Sequence, residues 1–168
     1  MNLIAAVSKN WGIGNQGKLL FQLSGDQRRF RSLTEGNVVI MGRKTLEALP
    51  GGRPLAGRRN IVLSATLDEN TAGVTVCRSL EDVKKAVKGI ATDKVFVIGG
   101  GEIYRLLEPM CSYAYITWVD DEPPADAFCP NLDESEEWRM AEESQLMENK
   151  GFIFQFFTYE RPPYFKRR

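Results

Sequence analysis

A chain of 168 residues and 18.9 kDa, 43% hydrophobic and 26% charged, has enough apolar surface for one globular domain with a sizeable core, which excludes disordered, fibrous and membrane-spanning classes. The complete absence of histidine excludes Ser-His-Asp triads, Cys-His pairs and His-ligated metals, so proton chemistry near neutral pH falls to a shifted carboxylate or to water. Net charge is zero, yet residues 1–66 carry ten Lys and Arg against three Asp and Glu (+7), leaving 12 against 19 (−7) beyond; this reads either as a mixed surface or as a first half that supplies cations to an anionic ligand.

Met1 to Lys9 lacks a basic leader, and its apolar run is too short for a signal or a membrane span, so it reads as a first strand over 2–8. The segment Asn10-Trp11-Gly12-Ile13-Gly14-Asn15-Gln16-Gly17-Lys18 follows. Three glycines among polar residues predict a loop, and Trp11 and Ile13 give it apolar groups with which to close over a ligand; an ordinary surface connection is the alternative. Ser24 with Gln27 three residues later matches a capping box and predicts a helix over about 25–35. Asp26, Phe30 and Leu33 then fall at i, i+4 and i+7, which places a carboxylate on the apolar stripe. The helix N-terminus stabilises the anion by about 1 kcal/mol, whereas desolvation can raise a carboxyl pKa by several units, so in a closed, unpaired site desolvation wins. Asp26 is therefore either a first-turn partner of the helix dipole or a functional acid facing a cationic or amidine-like group.

Val38-Val39-Ile40-Met41 predicts a strand over 37–41 and a helix over 43–49, with Gly42, Arg43, Lys44 and Thr45 at the junction offering N–H groups, cations and a hydroxyl to a phosphate. The Pro/Gly turn Gly52–Asn60 holds Arg53, Arg58 and Arg59, and arginine is suited to bidentate carboxylate binding. Strands are predicted over 60–64 and 73–77, ended by Ser64 and Arg78. With Arg43 and Lys44 these could converge on one extra phosphate, such as the 2′-phosphate of NADP. A helix over 79–88 leads to a strand over 94–98, in which Val95-Phe96-Val97-Ile98 is an unbroken apolar run typical of a strand buried on both faces of a parallel sheet. Gly99-Gly100-Gly101 and a helix over 101–107 come next. Glycines between a strand and a helix read as a tight turn or as a phosphate cradle.

A strand over 113–119 and two antiparallel strands within 139–160, turning near Lys150-Gly151, complete the order. The pattern predicts an α/β fold: one domain over 1–168 with a mostly parallel central sheet, an antiparallel C-terminal edge and helices on both faces. Cys77, Cys111 and Cys129 are odd in number and widely spaced with no CxxC, which argues against a disulfide framework or zinc site and fits a reducing cytoplasm. No aromatic-interleaved basic run points to nucleic acid.

Taken together, Leu3–Val7, Trp11–Gly14, the Asp26 helix with Phe30, Val39–Thr45, Gly52–Arg58, Val97–Tyr104 and Ile116-Thr117 resemble bacterial-type dihydrofolate reductase over nearly the whole chain. The resemblance implies NADPH-dependent reduction of 7,8-dihydrofolate to 5,6,7,8-tetrahydrofolate for one-carbon metabolism, with hydride passing to pterin C6 and a proton from water to N5. It implies a cytoplasmic monomer that binds dihydrofolate and antifolates but no nucleic acid, membrane or metal. Asp26 matches the carboxylate that holds the pterin N3 and 2-amino edge, supported by Thr117. Ile4, Ala5, Leu19, Gln27, Phe30, Leu49, Leu55, Ile98 and Tyr104 match the substrate pocket, and Arg58 the clamp on the glutamate α-carboxylate. Ala6, Ile13, Gly14, Ile98 and Tyr104 match the nicotinamide site. Gly42, Arg43, Lys44, Thr45, Gly99, Gly100, Gly101, Glu102 and Ile103 match the phosphate site, and Leu63, Ser64 and Arg78 the adenosine end. The family also has a cis peptide at the position of Gly99-Gly100.

Some positions depart from the family. Phe21 stands at a catalytic position usually held by Trp, whose indole N–H organises a water. Leu20 replaces Pro, Ala127 replaces Thr, Cys129 replaces Phe, and the turn at Pro50-Gly51 is about two residues longer. A reductase of the same fold acting in riboflavin synthesis is an alternative, and it would have no use for Arg58. A binding module without turnover is another.

Overall fold

The computed structural model describes residues 1–163. In chain order the strands and helices are β1 (Asn2–Val7), β2 (Gly12–Asn15), β3 (Lys18–Leu19), α1 (Ser24–Thr34), β4 (Val38–Gly42), α2 (Arg43–Ala48), β5 (Arg59–Leu63) and β6 (Val74–Cys77). They continue with α3 (Leu80–Ala86), β7 (Val95–Gly99), α4 (Gly101–Leu107), β8 (Tyr113–Val119), β9 (Ala127–Phe128), β10 (Arg139–Glu143), β11 (Met147–Asn149) and β12 (Phe152–Glu160). The main sheet has the order β10-β12-β8-β1-β7-β4-β5-β6, with β11 also on β12. From β8 to β6 every pairing is parallel, and β12 closes the sheet antiparallel to β8. This is the expected α/β fold with its antiparallel edge.

The two-residue period of a strand sorts the apolar side chains into two cores. On one face Ile4, Val39, Met41, Val62 and Phe96 pack with Phe30 and Leu33 of α1 and Leu46 of α2. On the other, Leu3, Val7, Ile40, Ile61, Val97 and Ile116 pack with Val83 of α3 and with Tyr104 and Leu107 of α4. Phe21, Leu23, Val119 and Phe154 form a third cluster beside the start of α1. Helices therefore cover both faces, and the carboxyl ends of the parallel strands stand open side by side.

Three local expectations are corrected. Residues 10–18 are not an open loop: β2 and β3 form a hairpin, and β2 pairs with β9. Trp11 is buried with φ 64°, edge-on to Tyr159, and its carbonyl accepts from Cys129 N at 2.9 Å. The C-terminal segment holds three strands rather than two: β10 pairs with the far end of β12, with a register shift between Met140 and Glu142, and β11 makes the Lys150-Gly151 hairpin with its near end. Ser24 does not cap α1. Leu23 occupies the cap position without a side-chain bond, and the Ser24 hydroxyl instead accepts from Asn149 Nδ2 at 3.1 Å.

Arg161 ties the end of β12 to the end of α4. Its guanidinium is almost wholly buried, with Nη2 2.6 Å from Glu108 Oε1, Nη1 2.5 Å from Glu137 Oε2 and Nε donating to the Cys111 carbonyl at 3.0 Å. It also lies 4.6 Å from the Trp138 ring centre, and the Trp138 indole N–H donates to the same Glu108 carboxylate. Removing the cation would leave a partly buried carboxylate without its partner. Arg161→Met is expected to lose about 3–5 kcal/mol in urea unfolding, whereas Arg139→Ala, which deletes the exposed pair with Glu160, should cost under about 1 kcal/mol.

Candidate functional site

Helix α1 lies on the sheet face that carries Thr117, so the carboxylate in its first turn meets a strand side chain. Thr117 Oγ1 donates to Asp26 Oδ1 at 2.6 Å, and Thr117 is only 2% exposed. Burial raises the Asp26 pKa, and the Thr117 bond and the charge of Arg29 lower it by less than burial raises it. Desolvation thus prevails even though the carboxylate is paired.

The wall beside Asp26 is the apolar cluster of that same face. Ile4, Phe30, Leu49, Leu55 and Ile98 share it with Tyr115. Ile98 is left out of the β4–β7 ladder by a register shift in which Met41 pairs with Gly99, and Ala6 lies in register with Thr117. Other expected substrate-site residues are not members of this cluster. Ala5 belongs to the opposite core because strand neighbours alternate. Gln27 is exposed on α1, and Leu19 is 68% exposed on β3. Phe21 is buried in the third cluster, edge-on to Phe152. Tyr104 is buried under the sheet and its hydroxyl donates to the Ile4 carbonyl at 2.7 Å, so that group is already engaged.

At one end of the wall, a buried Asn60 fixes the turn that carries Leu55 and Arg58. Its amide accepts from Leu55 N and donates to the Leu55 and Arg58 carbonyls, all within 3.0 Å. Arg58 Nε donates to Thr34 Oγ1 at 3.2 Å and Nη1 to the Ala56 carbonyl at 2.8 Å, which orients the guanidinium and leaves Nη2 outward. An open cavity of about 390 Å³ there is lined by Arg58, Arg31, Glu35, Ala56 and Gly57. Arg31, not singled out in the sequence, also lines this mouth, but its Nη2 lies 3.8 Å from Glu35 Oε1, so among the described residues Arg58 is the unpaired cation there.

At the other side the parallel register brings three strand ends together. Gly42 pairs with Leu63 and Leu63 with Cys77, so Arg43, Ser64 and Arg78 follow on adjacent strands. Arg78 Nη1 donates to the Ser64 carbonyl at 3.0 Å, and Arg43 Nη1 sits 2.7 Å from Glu47. The Ser64 hydroxyl already accepts from Thr66 N and Leu67 N, which leaves its proton to donate. Lys44 is exposed, Thr45 Oγ1 faces Gly100, and the Glu102 side chain points to solvent, so only its backbone N–H is available to an anion.

Gly99 and Gly100 are joined by a cis peptide. Gly99 has φ +127° against the Tyr104 ring, and a Cβ on Gly101 would lie 2.9 Å from the Phe128 carbonyl of β9. A clash at Gly101 and the positive φ at Gly99 thus keep side chains off two positions of a bare-backbone cradle, against which β9 packs, with β2 paired alongside it. That cradle, flanked by Arg43, Lys44 and Arg78, fits a phosphorylated dinucleotide such as NADPH.

Residues 1–161 match the profile of the family described as dihydrofolate reductase. The chain is 35% identical to dihydrofolate reductase of Bacillus subtilis, with 96% of this chain and 94% of that protein covered. It is 39% identical to the bifunctional dihydrofolate reductase-thymidylate synthase of Daucus carota over 95% of its own length, but spans about a third (33%) of that relative. Among solved structures, dihydrofolate reductase from Enterococcus faecalis complexed with NADP(H) and RAB-propyl superposes with a TM-score of 0.84 at 29% identity, covering 95% of both chains.

The raised Asp26 pKa has a consequence for stability. A carboxyl whose folded pKa exceeds its unfolded value favours folding fully below the unfolded pKa, and that contribution disappears as pH rises through the folded pKa. Asp26→Asn is therefore expected to be more stable than the parent near pH 7, by on the order of 1 kcal/mol. The gain should shrink as pH falls through the Asp26 titration, as read by urea unfolding across that range.

Proposed function

The chain belongs to the dihydrofolate reductase family, and from that premise we propose that it catalyses the NADPH-dependent reduction of 7,8-dihydrofolate to 5,6,7,8-tetrahydrofolate as a single reductase domain over 1–168. The observation that carries this reading is one buried carboxylate, Asp26, at the head of an apolar slot that lies between a cationic mouth and an anion cradle.

Anionic Asp26 accepts hydrogen bonds from pterin N3–H and the 2-amino group, and Thr117 fixes the carboxylate in the orientation that this edge-on contact needs. Ile4, Phe30 and Ile98 exclude water from the ring, Leu49 and Leu55 flank the aminobenzoyl group, and Arg58, with Arg31 beside it, holds the glutamate α-carboxylate. NADPH supplies the hydride that reaches C6. Ala6, Ile13 and Gly14 orient the nicotinamide, Gly99 to Ile103 with Gly42 to Thr45 hold the phosphates, and Leu63, Ser64 and Arg78 hold the adenosine end. With Asp26 already bonded to the ring edge, N5 takes its proton from water, and the Phe21 position contributes a ring but no indole donor to that water. Arg58 also distinguishes this substrate from riboflavin-pathway pyrimidines, which carry no glutamate.

Three reduced, buried cysteines support a cytoplasmic setting. The chain's own helices cover both faces of the sheet, which supports a monomer. Among the described residues no helix is long and apolar enough to cross a membrane.

The test is oxidation of NADPH in the presence of dihydrofolate, followed by absorbance, with NADH in parallel. Turnover with NADPH exceeding that with NADH by about 10–100-fold in kcat/KM is the expected result, because the charged contacts at Arg43, Lys44, Ser64 and Arg78 select the 2′-phosphate. No turnover with either cofactor would overturn the assignment. Arg58→Leu should weaken dihydrofolate binding by about 10–100-fold and leave NADPH binding unchanged. An unaltered dihydrofolate affinity would remove Arg58 from the substrate site.

A further inference from the structure

Arg29 stands three residues after Asp26 on α1, on the same inward face of the helix. Its guanidinium carbon lies 4.3 Å from the ring centre of Phe156 and 5.7 Å from that of Tyr115. Nη1 is fully buried without a hydrogen-bond partner, and among the described residues no ion pair within 4 Å joins Arg29 to a carboxylate. Arg161, the other deeply placed arginine, has an acceptor on every guanidinium nitrogen. Arg29 is therefore a half-buried cation with one buried, unbonded nitrogen and no close ion-pair partner among the described residues.

The sheet register shows where that charge acts. Phe156 is the direct cross-strand partner of Thr117, the residue that holds Asp26, and Tyr115 lies two residues from Thr117 on the same face of β8. Guanidinium and carboxylate thus sit over adjacent side chains of one sheet face, with aromatic rings rather than water around the cation. We propose that Arg29 is a positioning residue for the Asp26 carboxylate, a charge fixed beneath α1 that favours its anionic form and so extends pterin binding to lower pH. The second half of this proposal rests on the reading of Asp26 as the pterin carboxylate.

The groups facing this pair come from four elements. Asp26 and Arg29 belong to α1; Thr117 and Tyr115 approach from β8; exposed Glu142 of β10 acts on Arg29 and Tyr115; and Tyr104 of α4 lies within reach of Asp26. Phe156 of β12 contributes only its ring. Both tyrosines are held neutral by burial, with pKa values raised. Burial lowers the Arg29 pKa, but a guanidinium stays protonated at physiological pH. Arg29 is thus the cation that acts on Asp26, opposing its desolvation.

The experiment is a carbon-13 NMR titration of the aspartate carboxyls in the full chain without ligand, the Asp26 signal being identified by its loss in Asp26→Asn. Arg29→Met and Arg29→Gln both remove the charge, and Arg29→Lys keeps it. Both neutral variants should move the Asp26 midpoint upward by about half a unit or more, and Arg29→Lys should restore most of the parent value. Unmoved midpoints in the neutral variants, or a lysine variant shifted as far as the methionine one, would overturn the coupling. In the same proteins, affinity for a protonated 2,4-diaminopyrimidine should be lost at a correspondingly higher pH. A shifted Asp26 midpoint with an unshifted binding profile would overturn the assignment of Asp26 to the pterin edge rather than its coupling to Arg29.

Discussion

The hydrogen bond between Thr117 and Asp26 is the constraint on which the site depends. It spans 91 residues of sequence and forms only because β8 and α1 meet on one face of the sheet. Burying an ionisable carboxyl opposes the charged form. The threonine hydroxyl and the buried guanidinium of Arg29 favour that form without abolishing the shift. The result is a carboxylate held in one orientation, poised to accept a planar pair of donors, and surrounded by side chains that exclude water.

The parallel sheet supplies the remaining parts of the site through its two periodicities. Alternation along the strands sends Ile4, Ile98, Tyr115 and Thr117 to the face covered by α1 while Leu3, Ala5, Val97 and Ile116 fill the opposite core. Register across the strands aligns their carboxyl ends, so residues distant in sequence, Arg43, Ser64 and Arg78, follow neighbouring strands at one edge. Strand β7 joins the apolar wall to the glycine cradle, because Ile98 on that wall leaves the ladder just before the cradle begins. In the proposed reaction this one strand end would serve both ligands.

Much of this was legible in the residues. The run Val95 to Ile98 reads as a doubly buried strand because it has no polar alternation, and Asp26 reads as inward-facing because Phe30 and Leu33 share its helical face. Less legible were features set by long-range partners. The small sheet of β2, β3 and β9 joins short glycine-rich pieces more than a hundred residues apart, so no local periodicity announces it. Ala5 was expected on the substrate wall, yet strand alternation packs its side chain in the opposite core. Arg29 lies within the basic run Arg28-Arg29-Phe30-Arg31 and was not singled out in the sequence. Its spacing of three residues from Asp26 was the available signal, but the aromatic rings that bury it come from β8 and β12.

The central claim is that Asp26 holds the pterin and favours its protonated form. The direct measurement is the single-turnover rate of hydride transfer in Asp26→Asn against the parent, near pH 7 and near pH 5. The account predicts a loss of about 10²–10⁴-fold near neutrality, with partial recovery at the lower pH, where dihydrofolate arrives already protonated. A rate unaffected by the substitution, or reduced by the same factor at both pH values, would contradict it.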